Sequence, residues 1–163
     1  MVEETRNKTK TFCGMNPLWL VPPHVAIAVL IISLGLDTLL PTPPDWNFRS
    51  PLLGFTLLGL GSVVIVWTLG LFCKWATSPS PAKKASTLVT EGPFRISRNP
   101  IYLGGISMLS GCALVWGSIA ALVMPLIFFL AMNFVYIPFE EQRLLDAFGN
   151  AYVAYKSRVR RWL

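Results

Sequence analysis

Four long apolar runs, over residues 20–40, 52–73, 101–117 and 118–139, leave most of the charge to the stretches between and beyond them. At about 1.5 Å of rise per helical residue, runs of this size match a hydrocarbon layer about 30 Å thick. The pattern predicts an all-α polytopic membrane protein with four transmembrane helices and a single domain over 1–163. Composition agrees, with 53% hydrophobic against 13% charged residues. A soluble bundle would need four helices almost without polar faces, which water does not tolerate.

The positive charges follow topology. Arg6, Lys8 and Lys10 precede the first run, Lys74, Lys83, Lys84, Arg95 and Arg98 separate the second and third, and Arg143, Lys156, Arg158, Arg160 and Arg161 follow the fourth. With four spans these regions share one side, and the excess of Lys and Arg there predicts cytoplasmic N- and C-termini. The net charge of +6 therefore reflects orientation, and no nucleic-acid stripe is expected.

The first apolar run follows a polar stretch and ends in LLPTPPDW without a small-residue cleavage pattern, so it is expected to stay in the protein. Cys13, Cys73 and Cys112 lack metal-ligand spacing; Cys112 is read as a small buried helix residue and the other two as free interfacial thiols, with no metal site. His24 sits at the entry to the first span and is read as interfacial. Neither a P-loop nor a Rossmann-type glycine signature occurs.

Prolines in PTPPDWNFRSP define a short outer loop with Trp46 at headgroup level, and residues 74–99 form a cytoplasmic crossover. Gly54, Gly59 and Gly61 suit close helix packing, as do Ser107 and Gly111 in the third span. Pro100 fits the first turn of that span, and VWGS reverses the chain into the fourth, giving a close hairpin. Pro125 and Pro138 predict a bend in the fourth segment, and the offsets of Asn133, Tyr136 and Glu140 put those side chains on one inward face. Beyond it, residues 140–163 are too short for another span and read as an amphipathic cytoplasmic segment.

The polar residues gather at one mouth. Arg95, Arg98, Asn99 and Tyr102 lie at the start of the third span, and Glu140 and Glu141 leave the fourth on the same predicted side. A hairpin brings these together, beside a low-dielectric wall where charges need partners. Polar groups at a single mouth do not mark a route through the membrane, which argues against a transporter.

The stretch GPFRISRNPIYLGG, followed by a hairpin and then EEQRLLDAFGNAYVAY, resembles the integral-membrane methyltransferases that include isoprenylcysteine carboxyl methyltransferases and phospholipid methyltransferases. Their pattern joins Arg-His-Pro-x-Tyr-x-Gly to a hydrophobic segment, a Glu-Glu pair, Phe-Gly and spaced tyrosines. The matching residues here are Arg98, Asn99, Pro100, Tyr102 and Gly104, then Glu140, Glu141, Phe148, Gly149, Tyr152 and Tyr155, within residues 88–163.

The resemblance implies S-adenosylmethionine as methyl donor and a cofactor-binding core over 88–163. It carries a cofactor-binding role to Arg98, Asn99, Tyr102, Gly104, Glu140 and Glu141. Glu140 and Arg95 are the catalytic candidates, Glu140 as a base and Arg95 as a gate or acceptor-binding cation. Asn99 replaces the family's histidine; an amide keeps hydrogen bonding but takes no proton near neutral pH.

The expected acceptor is lipid-like or prenylated and arrives from the bilayer at the cytoplasmic interface. An isoprenylcysteine-like carboxylate would be held by an arginine, whereas a phospholipid amine would need a carboxylate to take its proton. The carboxylate is the first choice at this point and the phospholipid amine the alternative, beside a noncatalytic lipid-binding or scaffold role. Tyr152, Tyr155 and Trp162 are expected to cover the chamber or anchor at the interface.

Overall fold

A computed structural model describes residues 22–39, 48–76 and 87–163. The expectations for Arg6, Lys8, Lys10, Cys13, Trp46, Lys83 and Lys84 lie outside the described residues, as does the start of the first apolar run. Among the described residues all secondary structure is helical. Helices α1 (Pro22–Leu39), α2 (Pro51–Lys74), α3 (Pro100–Trp116) and α4 (Ile119–Ala131) fall in the four apolar runs.

The fourth segment does not end near residue 139. It continues from α4 through a π-helical turn, Met132–Tyr136, into α5 (Ile137–Phe148), and α6 (Asn150–Lys156) follows. Pro138 explains the widened turn. In a regular helix its ring collides with the carbonyl four residues back, and an extra residue per turn just before it relieves that conflict. Pro125 lies inside α4, which runs on past it.

Among the described residues two helices, not four, are long and apolar enough to cross a bilayer on their own: Pro51–Lys74 and the continuous rod Ala120–Phe148. The described part of α1 has 18 residues and α3 has 17. At about 1.5 Å per residue these reach only about 26 Å. Pro100 opens α3, and Gly117, at φ 72°, ends it in the left-handed region. Both long helices keep most of their apolar surface outward, with 17% and 33% of their most apolar windows buried. Leu52, Phe55, Val63 and Val66 of α2 are among the exposed side chains. Such a surface calls for apolar surroundings.

Close backbone approach holds α2 against α3. A Cβ on Gly61 would come within 2.6 Å of the Gly104 carbonyl oxygen, and one on Gly111 within 2.6 Å of the Gly54 carbonyl oxygen. Between these two contacts Ser107 donates to the Leu57 carbonyl at 2.9 Å. The pairs 54/111 and 61/104 define an antiparallel register. Gly59, expected to pack in the same way, has nothing within 4 Å of its Cβ position.

The hairpin between α3 and α4 is tight. Ser118 caps α4 by accepting from the Ala121 amide, and it donates to Asp37 at 2.5 Å, which fixes the end of α1 beside the turn. At that same end Arg49 Nε donates to the Val115 carbonyl at 3.0 Å. The opposite end carries Lys74, the loop 87–99, the start of α3, and α5 with α6. The core lies between, centred on Met124, Phe128, Met132 and Ile137 of the rod, with Val25, Val29, Tyr102 and Leu109 packed around them.

Candidate functional site

Three segments meet at the polar end. The first is the loop entering α3, which begins with a 3₁₀ turn, Gly92–Arg95, and continues through Ser97, Arg98 and Asn99. The second is the rod around its π-turn and the first turns of α5. The third is α6 with the chain after it, residues 157–163, which has no helix of its own.

Loop and tail are joined through main-chain groups. The Arg98 amide donates to the Arg160 carbonyl at 3.0 Å. The Arg161 carbonyl accepts from Asn99 Nδ2 at 3.0 Å and from Ser97 Oγ at 3.2 Å. Tyr155, buried in α6, donates its hydroxyl to the Phe94 carbonyl at 2.8 Å. The tail is thereby laced along the entry to α3.

Adjacent in sequence, the two acids of α5 have different partners. Glu140, partly buried, accepts the Tyr102 hydroxyl at 2.8 Å. Glu141 is buried and meets three cations: Arg98 Nη1 at 2.9 Å, Lys156 Nζ at 3.2 Å and the Arg161 guanidinium. Arg161 engages both carboxylate oxygens, Nε to Oε1 at 3.2 Å and Nη2 to Oε2 at 3.1 Å. One carboxylate among three cations leaves a local excess of positive charge, which favours an anionic group nearby.

Arg98 is the best enclosed of those cations, its side chain 9% exposed. Its Nη1 also donates to the Tyr152 hydroxyl at 3.3 Å, yet its buried Nε has no hydrogen-bond partner. A buried donor left without an acceptor costs about 1–3 kcal/mol, so this atom is suited to a bound anion. Burial pushes the Tyr152 phenol above its ordinary range; the Glu141 charge adds to the rise and Arg98 opposes it. Tyr152 is therefore a neutral hydroxyl at physiological pH.

A cleft of about 410 Å³ opens beside Glu141, lined by Pro138, Gln142 and Leu145 of α5, Tyr152, Val153 and Lys156 of α6, and Arg161. That size lies in the range of small-molecule sites. Its lining joins apolar Pro138, Leu145 and Val153 to charged Glu141, Lys156 and Arg161, which suits an amphipathic ligand.

Each sequence-predicted residue can now be placed. Arg98, Tyr102, Glu140 and Glu141 are brought to one end of the bundle. Asn99 is there too, with its amide nitrogen bonded to the tail. Gly104 is elsewhere: it faces α2, where a Cβ would meet Ile65 and the Gly61 carbonyl. Arg95 is exposed on the 3₁₀ turn and forms no hydrogen bond or ion pair with the cluster.

The expected stripe of Asn133, Tyr136 and Glu140 is redirected by the π-turn. Asn133 Oδ1 accepts from Trp162 Nε1 at 3.1 Å and from Arg161 Nη1 at 3.5 Å, which puts it with Glu141 and not with Glu140. Trp162 lies against Phe129, ring centroids 5.0 Å apart. His24 is exposed in α1, Cys73 is exposed and Cys112 partly buried. No cluster of metal-ligating side chains occurs among the described residues.

A family profile described as phospholipid methyltransferase matches residues 50–151, well over half of the chain. The chain belongs to the phospholipid methyltransferase family. Membership makes methyl transfer the reaction class and agrees with the two apolar helices in placing the protein at a membrane. Comparison with curated proteins and with solved structures gives no match.

The family match covers α2 through α5 and stops before Tyr152, so Lys156, Arg161 and Trp162 are outside it. By sequence Lys156 and Arg161 read as topology charges, and their contacts with Glu141 were not expected. The one available signal was Glu141 itself, since an acid at the edge of an apolar run needs several partners.

Proposed function

We propose that this protein transfers a methyl group from S-adenosylmethionine to the amine of a phospholipid-type acceptor at the cytoplasmic face of a membrane that all four apolar helices enter. The observation carrying this reading is the unequal commitment of the two adjacent acids. Glu141 is tied to three cations, while Glu140 holds one phenolic hydroxyl.

The donor fits the Glu141 side. The cleft between α5 and α6 offers apolar walls and the Tyr152 ring for its base, and Arg98 Nε, buried behind that lining and without a partner, has the chemistry for its carboxylate once the side chain turns toward the cleft. Arg98, Glu141 and Tyr152 would hold it, with Lys156 and Arg161 supplying the positive excess. When bound, S-adenosylmethionine supplies an electrophilic methyl on a sulfonium sulfur that leaves as a neutral thioether.

Glu140 serves the acceptor. An amine becomes nucleophilic once its proton is gone, and the second oxygen of Glu140 takes that proton while Oε1 stays on Tyr102. Tyr102 fixes the carboxylate against α3 and keeps it aimed. Arg95, exposed, meets the acceptor's anionic headgroup as it arrives. A carboxylate acceptor of the isoprenylcysteine kind would need a cation and no base, which would leave Glu140 without a part in the reaction. The family description favours the same choice of acceptor.

The test is purified protein in nanodiscs with radiolabelled S-adenosylmethionine, offered phosphatidylethanolamine or a prenylated cysteine carboxylate. N-methylated phospholipid is expected. Methyl ester as the sole product would overturn the amine reading, and lipid binding without any transfer would leave the scaffold role.

A further inference from the structure

Glu141 is oriented by a residue beyond the family match. Arg98 and Lys156 each reach a single oxygen of its carboxylate, which fixes charge but leaves the plane of the group free to turn. Arg161 reaches both oxygens, at 3.2 and 3.1 Å, and a two-pronged guanidinium contact sets the plane. A further contact, Nη1 to Asn133 Oδ1 at 3.5 Å, ties the same guanidinium to the π-turn.

The chain carrying Arg161 has no helix to hold it. Residues 157–163 keep their place through bonds to their neighbours: the Arg98 amide to the Arg160 carbonyl, Asn99 Nδ2 and Ser97 Oγ to the Arg161 carbonyl, and Trp162 Nε1 to Asn133. Asn99 thus touches the donor cleft's wall through Arg161, and its amide nitrogen is already used.

We propose that Arg161 is the positioning residue that sets Glu141 for the donor, and that Asn99 acts on the same site indirectly, by latching the Arg161 carbonyl. This rests on the reading that Glu141 faces the donor. An amide suits the latch because it donates without carrying charge. Aspartate at position 99 has only acceptors to offer a carbonyl, so Asn99→Asp breaks the bond and adds repulsion.

The experiment uses the full chain in nanodiscs and measures equilibrium binding of S-adenosylhomocysteine, KM for donor and acceptor separately, and hydrogen exchange at the Arg98 amide. Arg161→Lys keeps the charge and loses the fork. It is expected to weaken S-adenosylhomocysteine binding about tenfold and raise the donor KM alike, with the acceptor KM unchanged. Asn99→Asp is expected to give the same split and to speed exchange at Arg98, whereas Asn99→His, which retains a ring N–H donor, restores part of the affinity. In Glu141→Gln the further change Arg161→Lys should cost little, because the two act as one unit.

Binding unchanged in Arg161→Lys, an equal rise in acceptor KM, or additive effects in the Glu141→Gln background would each overturn the inference alone. Wild-type protein that binds no S-adenosylhomocysteine overturns the donor reading and this inference with it.

Discussion

Tyr102 donates its hydroxyl to Glu140 at 2.8 Å, joining the first turn of α3 to the first turn of α5 across 38 residues of sequence. The bond puts the phenol and the acid at the same end of the bundle, as any shared site at that mouth requires. If Glu140 takes the acceptor's proton, Glu140→Gln should lower kcat by about 10²–10⁴. Tyr102→Phe leaves the acid but frees its orientation, for a loss of about tenfold. The two changes together should cost no more than Glu140→Gln. Initial rates of phospholipid methylation in nanodiscs check this, and additive losses would show that the residues work separately.

Glu141 should behave differently from its neighbour. Removing its charge leaves Arg98, Lys156 and Arg161 facing one another, with Arg98 buried. Glu141→Gln is therefore expected to destabilise the fold by about 2–3 kcal/mol and loosen the tail, the range for charged hydrogen bonds lost from a buried group. Glu140→Gln, which can still accept from Tyr102, should cost under about 1 kcal/mol. Unfolding midpoints in mild detergent compare the two. Equal losses would mean that the acids are not divided between structure and chemistry.

Much of this arrangement is legible in the sequence and part of it is not. The helices in the four apolar runs and the hairpin at Gly117 and Ser118 follow from hydropathy and turn chemistry, which are local. The meeting of Tyr102 with Glu140 follows from folding that hairpin back. Helix length at α3 is legible as well, because the 101–117 run holds 17 residues and Pro100 and Gly117 bound a helix of that same length. The π-turn is hidden: offsets of three, four and seven assume a regular helix, and the added residue before Pro138 moves Asn133 to the Glu141 side. Gly104 fits two roles by sequence alone, close approach to a ligand or to a helix, and only the position of Gly61 decides between them. Arg161 was obscure because its partners lie 20 and 28 residues back along the chain.

The glycines of α2 provide an internal control. A Cβ at Gly61 would sit 2.6 Å from the Gly104 carbonyl oxygen and 2.8 Å from Met108, whereas one at Gly59 or Gly70 meets nothing within 4 Å. Backbone cannot yield as a flexible side chain can, so Gly61→Ala must push α2 from α3 or strain both. A loss of about 1–3 kcal/mol is expected for Gly61→Ala. Gly59→Ala and Gly70→Ala should be neutral or slightly stabilising, since alanine favours helix. Thermal unfolding in detergent separates these cases. A destabilised Gly59→Ala with a tolerated Gly61→Ala would refute the packing register.

Tyr155 gives the site a pH dependence of known sign. Its hydroxyl donates to the Phe94 carbonyl at 2.8 Å, and burial raises its pKa above that of a free phenol; Arg98 opposes the shift and Tyr152 adds to it. The folded state thus holds this proton at a pH where the unfolded chain has begun to lose it. The stabilisation is complete below about pH 10, the ordinary phenol value, and is lost as pH rises from there toward the folded pKa. Tyr155→Phe removes the group that titrates. The variant should be about 1 kcal/mol less stable at neutral pH, from the lost hydrogen bond, and should lose less further stability above pH 10 than the wild type. Phenolate absorbance during alkaline titration, followed alongside unfolding midpoints, checks both halves. A variant whose alkaline decline matches that of the wild type would exclude Tyr155 as its source.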